Sequence, residues 1–479
     1  MSKLKSLAGE TVLYGLGSML PRFLNFLLVS LHTKSMFSRA EYGELTYLLS
    51  IVAVINVVYM FGMETAFFRF SNQPDANKAK VFRLAQTVVV SISIFCSIIF
   101  IGSSSFIASQ VGQANHQEFV VWLTLIMLID ASVAIPFAQL RLQKKAKLFA
   151  VAKIVNVLVL IALNYYFLKI AYRPSVGIGY VFLANLIANS FFLVFFFKSL
   201  ITWRPQWDTT LSPAMLRYAY PVMLTGLAGM TNEFFSRTTL GYWLPPNFYG
   251  SVSNQEALGI FGACYKFAVF MNLGIQAFRY AAEPFFFSNA SDKKSPELFA
   301  KVNHYFVVLG CIVLLGVSIN LDLIKHFIGD NFWDGLAIVP ILLLAYLFLG
   351  IYYNISIWFK LTNQTHVGTF ITILGVLVTV VANYLLIPRF GYMGSSWAAL
   401  LCYAVMTLAC YAWGQKYHPI PYSVGKDLIY IFSTMLVVYL VYAIEISNQY
   451  LSSLFHIGVT VLFVGIVYLF SRNDLKQSI

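Results

Sequence analysis

The sequence predicts an all-α polytopic membrane protein of about fourteen transmembrane helices, built as two six-helix repeats with two helices appended. Three observations predict it. Of the 479 residues, 59% are hydrophobic and only 11% are charged, under half the roughly 25% charged residues usual in soluble domains. The apolar residues fall into fourteen stretches, each near the roughly 20 residues that a spanning helix needs. Lys and Arg concentrate in alternate gaps between those stretches.

The spans lie near 11–32, 44–66, 84–108, 118–140, 149–168, 176–197, 218–244, 257–287, 300–324, 336–359, 367–387, 392–415, 427–445 and 452–471. No polar gap between them exceeds about 20 residues, too short for an extramembrane domain of about 50 or more. The opening MSKLKSLAGE lacks the features of a cleavable signal, so the first helix is expected to stay in the protein. Lys3 and Lys5 precede the first span; Arg69, Lys78, Lys80 and Arg83 follow the second; Arg141, Lys144, Lys145 and Lys147 follow the fourth. The opposite gaps 109–117, 246–256 and 446–451 hold no Lys or Arg. This positive-inside pattern predicts cytoplasmic termini, and most of the +13 formal charge reports orientation rather than a nucleic-acid partner. Cys96, Cys264, Cys311, Cys402 and Cys410 all fall in predicted spans without CxxC spacing or His companions. They are expected to pack as small apolar residues, with no disulfide, zinc site or other cofactor.

In the first helix, Pro21 removes a backbone hydrogen bond and is a candidate hinge. Arg22 lies about eleven residues in, or roughly 16 Å, near the bilayer centre. That depth favours a cavity-facing role over snorkelling or capping of a kink. The second span ends in Glu64 and Arg69, expected as an ion pair or headgroup anchor at the cytoplasmic boundary. Asp130, the one acid in the interior of the fourth span, reads as a proton or sodium site or as the partner of Arg141 or Lys153.

The fifth and sixth spans run through Asn156, Asn164, Gly177, Gly179 and Asn185; the eleventh and twelfth run through Asn383, Pro388, Gly391 and Gly394. Each pair has an Asn near the outer end of one helix, a turn, and glycines opening the next. Tyr14-Gly15-Leu16 and Met19 line up with Thr225-Gly226-Leu227 and Met230, and Glu41 to Leu45 with Glu256 to Phe261. The order is the same in both halves. It points to repeats at 1–208 and 209–417 in the same orientation, followed by a pair of helices and a tail at 418–479. Two such bundles with a site between them describe an alternating-access transporter.

The seventh and eighth spans carry charge where a bilayer makes it costly: Glu233 and Arg237 on the first, Lys266, Arg279 and Glu283 on the second. An ionisable side chain at that depth costs at least about 2.5–3.5 kcal/mol on insertion scales, and so marks a candidate site. With Arg22 these cations form a ladder suited to an anionic ligand. Glu233–Arg237 and Arg279–Glu283 are also i,i+4 pairs, which can neutralise one another on one helix face. Lys266 has no such partner on its own helix. Pro221 is a second candidate hinge.

No G-x-x-x-x-G-K-[ST] motif occurs, so ATP-driven transport by this chain alone is unsupported. The seven histidines are scattered, with no H-E-x-x-H and no nucleophile elbow. The expectation is a transporter, not an enzyme.

The stretches Tyr14 to Phe23, Gly62 to Arg69, Pro221 to Arg237, Glu256 to Phe287 and Asn383 to Ala399 resemble bacterial oligosaccharide flippases of the multidrug/oligosaccharidyl-lipid/polysaccharide exporter superfamily. Thr225-Gly-Leu-Ala-Gly-Met-Thr-Asn-Glu and Ala277-Phe-Arg-Tyr-Ala-Ala-Glu-Pro-Phe look like polysaccharide exporters of Bacteroidetes. The resemblance implies two six-helix lobes around a central cationic cavity, with Arg22 and Arg279 matching arginines on the family's first and eighth helices. It implies transfer of a polyprenyl-pyrophosphate-linked oligosaccharide from the cytoplasmic to the periplasmic leaflet of the inner membrane, for capsule, O-antigen or exopolysaccharide biosynthesis. Functional partners would then be membrane lipids, a polysaccharide polymerase and glycosyltransferases. One departure is Ser236, where many relatives carry an acid before the seventh-helix Arg; whether Glu233 substitutes for it is open. The rival readings are a lipid II flippase, a cation-coupled multidrug exporter and a membrane-embedded glycosyltransferase or ligase. The drug exporter calls for unpaired cavity acids and the transferase for catalytic acids or a large periplasmic loop.

Overall fold

A computed structural model of the chain describes residues 20–21, 23–74, 76–289, 295–362, 364–444 and 446–476; for 280, 281, 283, 284, 287, 288 and 470–476 only the backbone is described. Among these residues the chain is all-α, with no strand beyond one isolated bridge, Tyr249 to Val252. Eleven helical stretches are long and apolar enough to cross a membrane, and they coincide with eleven of the expected spans. The other three differ for separate reasons. Residues 11–19 and 22 of the first span lie outside the described residues. The sixth is a shorter apolar helix, Gly179–Phe195. The seventh, Leu211–Trp243, is 33 residues long but diluted by Pro221, Thr225, Thr231, Asn232, Glu233 and Arg237.

Packing divides the chain into two units, Met1–Thr238 and Thr239–Ile479. In the first unit, α1 (23–31) runs into a π-helical turn, His32–Met36. Ser38 then caps α2 (Arg39–Met60) with a capping box: Glu41 N–H donates to Ser38 Oγ at 3.3 Å, and Ser38 N–H donates to Glu41 Oε2 at 2.8 Å. The second span is not one helix. Phe61 and Gly62 are both left-handed, with φ of 48° and 66°, and separate α2 from α3 (Met63–Ser71). Gly62 is required there twice over. A Cβ would stand 2.6 Å from the Ala219 carbonyl oxygen and 3.0 Å from the Met223 nitrogen, one turn of the long helix around Pro221.

Around this crossing sits the core of the unit. Tyr59, Met63 and Phe67 pack on Leu84, Ala85 and Val88 of α4 (Lys78–Gly102) and on Met127, Ala131 and Ile135 of α6 (Gln117–Leu142). Between them lies the short α5 (Ser104–Gln110). Met215 and Ala219 close the core from α10 (Leu211–Trp243). A second cluster centres on Phe137, whose ring lies 5.5, 5.1 and 4.7 Å from those of Phe149, Phe192 and Phe196. It joins α6 to α7 (Ala146–Tyr165) and α8 (Gly179–Phe195). After α9 (Phe197–Thr202), the loop to α10 is fastened to α4. Gln206 N–H donates to Thr87 Oγ1 at 3.0 Å, and Asp208 pairs with Lys80 at 2.5 Å. The Lys80 ammonium, then the Leu211 and Thr210 donors, hold the Asp208 carboxyl well below the usual carboxylate range.

In the second unit, α11 (Asn254–Asn289) and α12 (Ser295–Ile319) lead through short turns, including α13 (Leu321–Ile324), to α14 (Ile338–Ile355). α14 and its extension α15 (Ile357–Leu361) are the axis of the unit: 83% of their apolar window is buried. They pack against α16 (Thr365–Phe390) and α17 (Tyr392–Tyr417). Trp358 Nε1 donates to the Cys410 carbonyl at 3.3 Å, and its ring stacks on Tyr417 at 6.0 Å. α18 (Val424–Tyr442) packs on α12, and α19 (Gln449–Lys476) is held most lightly, with 11% of its apolar window buried.

Buried hydroxyls are mostly satisfied at home. Ser50, Ser93, Thr231, Thr372 and Thr434 each donate to the carbonyl four residues earlier in their own helix. Side chains that bond across helices are fewer. Gln86 of α4 donates to the Ser132 carbonyl of α6 at 2.8 Å, and Thr407 of α17 donates to the Phe348 carbonyl of α14 at 2.9 Å.

Candidate functional site

Three of the four cations expected to bind an anion, Arg237, Lys266 and Arg279, lie on α10 and α11. Arg237 is buried in the first unit, near the end of α10, with its guanidinium 4.4 Å from the Phe234 ring centre. Glu233, one turn earlier, comes to 3.6 Å from Arg237 Nη2. The two side chains are 10% and 20% exposed, so the i,i+4 pair exists and is largely withdrawn from solvent. An Arg held this way keeps donors beyond those the carboxylate uses, because the guanidinium has five N–H groups.

Lys266 and Arg279 belong to the second unit and share α11. Thirteen residues apart on one helix, they stand roughly 20 Å apart along the axis and about 140° apart around it. They cannot grip one phosphate together. Arg279 lies over Tyr353 of α14, its Cζ 3.9 Å from the ring centre. A cation–π contact of this kind uses the ring face and none of the ring's acceptors, and a guanidinium carries five N–H donors. Pro21 falls in described helical backbone, whereas Arg22 and the Glu283 side chain lie outside the described residues. α10 continues as a helix through Pro221.

The acids have partners that the sequence did not single out. Glu64 pairs with Arg141 at the end of α6, not with its neighbour Arg69, which instead stacks on Tyr218 at 4.2 Å. Asp130 is therefore not the partner of Arg141. Its Oδ1 accepts from Asn189 Nδ2 at 2.9 Å, Asn189 Oδ1 accepts from Asn156 Nδ2 at 3.1 Å, and the Lys153 charge acts on the carboxylate. This gives α6, α7 and α8 a polar centre within the apolar bundle. Asn189 was missed by sequence reasoning; its only signal is the one-turn spacing from Asn185, which itself bonds the Val181 carbonyl of its own helix at 2.8 Å. Among the described residues, no group of three or more His, Cys, Asp or Glu side chains is placed to hold a metal ion.

The arrangement can be compared with known proteins. The fold is that of a lipid II flippase, MurJ, in an inward closed conformation: 14% identity, 97% of this chain and 100% of that chain covered, TM-score 0.76. It is also that of an outward-facing multidrug resistance MATE family transporter of the MOP superfamily, at 14% identity, 86% and 95% coverage and a TM-score of 0.60. A mutant of the Vibrio cholerae MATE transporter VcmN matches at 14% identity, 86% and 96% coverage and 0.57. No curated protein sequence matches significantly. The sequence model of one family, described as polysaccharide biosynthesis protein, matches residues 36–335, more than half of the chain. The chain is thus a multi-pass membrane protein with the fold of these transporters, and it belongs to the polysaccharide biosynthesis protein family.

Proposed function

We propose that this protein is a flippase that carries a polyprenyl-pyrophosphate-linked oligosaccharide from the cytoplasmic to the periplasmic leaflet of the inner membrane, by alternating access. The observation that carries the reading is the polysaccharide-biosynthesis family match on a chain with a transporter fold. The cations on α10 and α11 support it. Arg22, Arg237, Lys266 and Arg279 neutralise the pyrophosphate, with the arginines suited to bidentate contacts. Because Lys266 and Arg279 stand about 20 Å apart along one helix, they meet the pyrophosphate in turn. The polyprenyl tail stays in lipid while the glycan crosses in water. Asp130, Glu64, Glu233 and Glu283 are the candidate charge partners or ion-coupling groups, and Pro21 and Pro221 the candidate hinges. The six-helix repeats are 1–208 and 209–417, with 418–479 appended and both termini cytoplasmic. Glycosyltransferases supply the substrate and a polymerase consumes the product.

A second reading, flipping of lipid II, is favoured by the fold match over 97% of the chain. Purified protein in proteoliposomes separates the two. Fluorescent lipid-linked oligosaccharide should flip without ATP and faster than lipid II. Flipping of lipid II alone would favour the second reading, and flipping of neither would overturn both. Arg279→Lys should impair flipping more than Lys→Arg or Arg→Lys changes at the exposed Lys144 or Arg204. Lys266→Ala protein present at wild-type abundance but fully active would remove the cation ladder from the mechanism. A cysteine at Ser251 should react with an impermeant reagent from the periplasmic side; labelling only after lysis of the inner membrane would reverse the topology.

A further inference from the structure

Between the first turns of α12 and α18 lies a cavity of about 350 Å³ that none of the transport residues lines. Lys301, His304 and Tyr305 face it from α12, at the i, i+3 and i+4 spacing that shares one helix face. Ser423 and Lys426 face it from the start of α18. We propose that this cavity binds a phosphate group, and that its source is the headgroup of an anionic phospholipid.

The charge around the cavity is arranged for an anion. Two lysines from different helices converge on it. Ser423 occupies the N-cap of α18 yet makes no side-chain cap hydrogen bond. The N–H groups of that first turn belong to the positive end of a 19-residue helix. Gly425 has open space where a side chain would be, so a ligand can approach the backbone. The nearest buried acid is already engaged. Asp427 Oδ1 accepts from His304 Nδ1 at 2.5 Å, and its Oδ2 accepts from Asn303 Nδ2 at 3.3 Å. Those bonds draw the carboxylate toward α12 and fix the imidazole at the cavity wall. Glu297, the remaining acid, stands exposed at the rim.

A lipid is the better source of the phosphate than solvent because an apolar track leaves the cavity along α12. Leu309, one turn beyond Tyr305 and two beyond Lys301 on the same helix face, is 59% exposed, and the half-buried Ile312 continues that face. A headgroup seated at the lysines would lay an acyl chain on that track. Basic pockets between helices at the cytoplasmic side are suited to anionic headgroups.

The test uses the full-length purified chain, with bound lipid measured by native mass spectrometry. Phosphatidylglycerol should bind the wild type in preference to phosphatidylcholine. Lys301→Gln with Lys426→Gln should weaken that binding roughly 30-fold. Ser423→Glu, which keeps both lysines, should weaken it as well by placing a carboxylate at a position that lines the cavity. Lys144→Gln with Lys145→Gln, in the turn between α6 and α7, should leave it unchanged. Equal binding of the two lipids, or phosphatidylglycerol binding untouched by both cavity variants, would overturn the proposal. Displacement of the lipid by inorganic phosphate supports a phosphate-recognising cavity. Phosphate that fills the cavity while phosphatidylglycerol does not bind would overturn the lipid as its source.

Discussion

At the end of α7, Asn164 is followed by Tyr165; at the corresponding place in α16, Asn383 is followed by Tyr384. Both Asn side chains are fully buried, and both donate Nδ2 to the carbonyl four residues earlier, at 2.9 and 2.8 Å. Beyond that the two corners part. Asn164 Oδ1 bonds His32 Nε2 at 3.1 Å, whereas Asn383 Oδ1 has no hydrogen-bond partner among the described residues. The offset that aligns Gly15 with Gly226 and Met19 with Met230 carries His32 onto Trp243. Trp243 packs edge-on against Tyr384 at 5.7 Å and offers that oxygen nothing in the way His32 does. The first corner then spreads through a π-helical turn, Tyr166–Ile170, to Gly177, while the second turns sharply at Gly391. One corner is secured by a side-chain bond and a long turn, the other by backbone closeness.

If that is right, glycine substitutions should divide the corners most sharply. A Cβ at Gly394 would lie 2.3 Å from the Leu386 carbonyl oxygen, and at Gly179 the same distance from the Phe119 ring. Backbone cannot yield as a ring can. Gly394→Ala should cost about 3 kcal/mol or more, and Gly179→Ala about 1–2 kcal/mol, measured as loss of thermal stability of purified protein. Equal losses would break the comparison.

Next come the two left-handed glycines. Gly391 has φ 57° and ψ −134° and its Cβ would meet the Tyr249 hydroxyl; Gly177 has φ 52° and only the Pro174 carbonyl at 3.6 Å. Gly391→Ala should cost about 2–3 kcal/mol and Gly177→Ala about 1 kcal/mol in the same measurement.

Smaller again is Asn164→Ala, expected to cost about 1–2 kcal/mol because it strands a bond of His32. Asn383→Leu should come within about 0.5 kcal/mol of wild type, or gain, because it removes a buried acceptor that has no partner. A larger loss at Asn383 than at Asn164 would show that the second Asn has a partner in the working protein.

The comparison also marks what a sequence can carry. Apolar length and the Lys/Arg distribution made the fold legible, and the Asn-Tyr and glycine positions made both corners legible, because each is a local demand on a few consecutive residues. The bonds of those Asn residues were not, since His32 lies 132 positions from Asn164. The same distance problem misdirected Glu64. Its neighbour Arg69 was visible, but its partner Arg141 comes from 77 positions away. Glu233 with Arg237 was legible because the pair closes within one turn of helix. The break at Phe61–Gly62 was half legible: glycine permits it, but only the approach of α10 requires it.

The hydroxyls that bond within their own helices have a mechanical consequence. Where Ser93 or Thr231 faces a neighbour, sliding by one turn exchanges one set of dispersion contacts for another and leaves its own-helix hydrogen bond intact. Such surfaces offer little friction. Bonds across helices act as pins: Gln86 ties α4 to α6, the Asp130–Asn189–Asn156 chain ties α6, α8 and α7, Asp427 ties α18 to α12, and Thr407 ties α17 to α14. Shear within each unit should therefore carry these pinned helices as rigid blocks and take up the displacement along the unpinned surfaces around them.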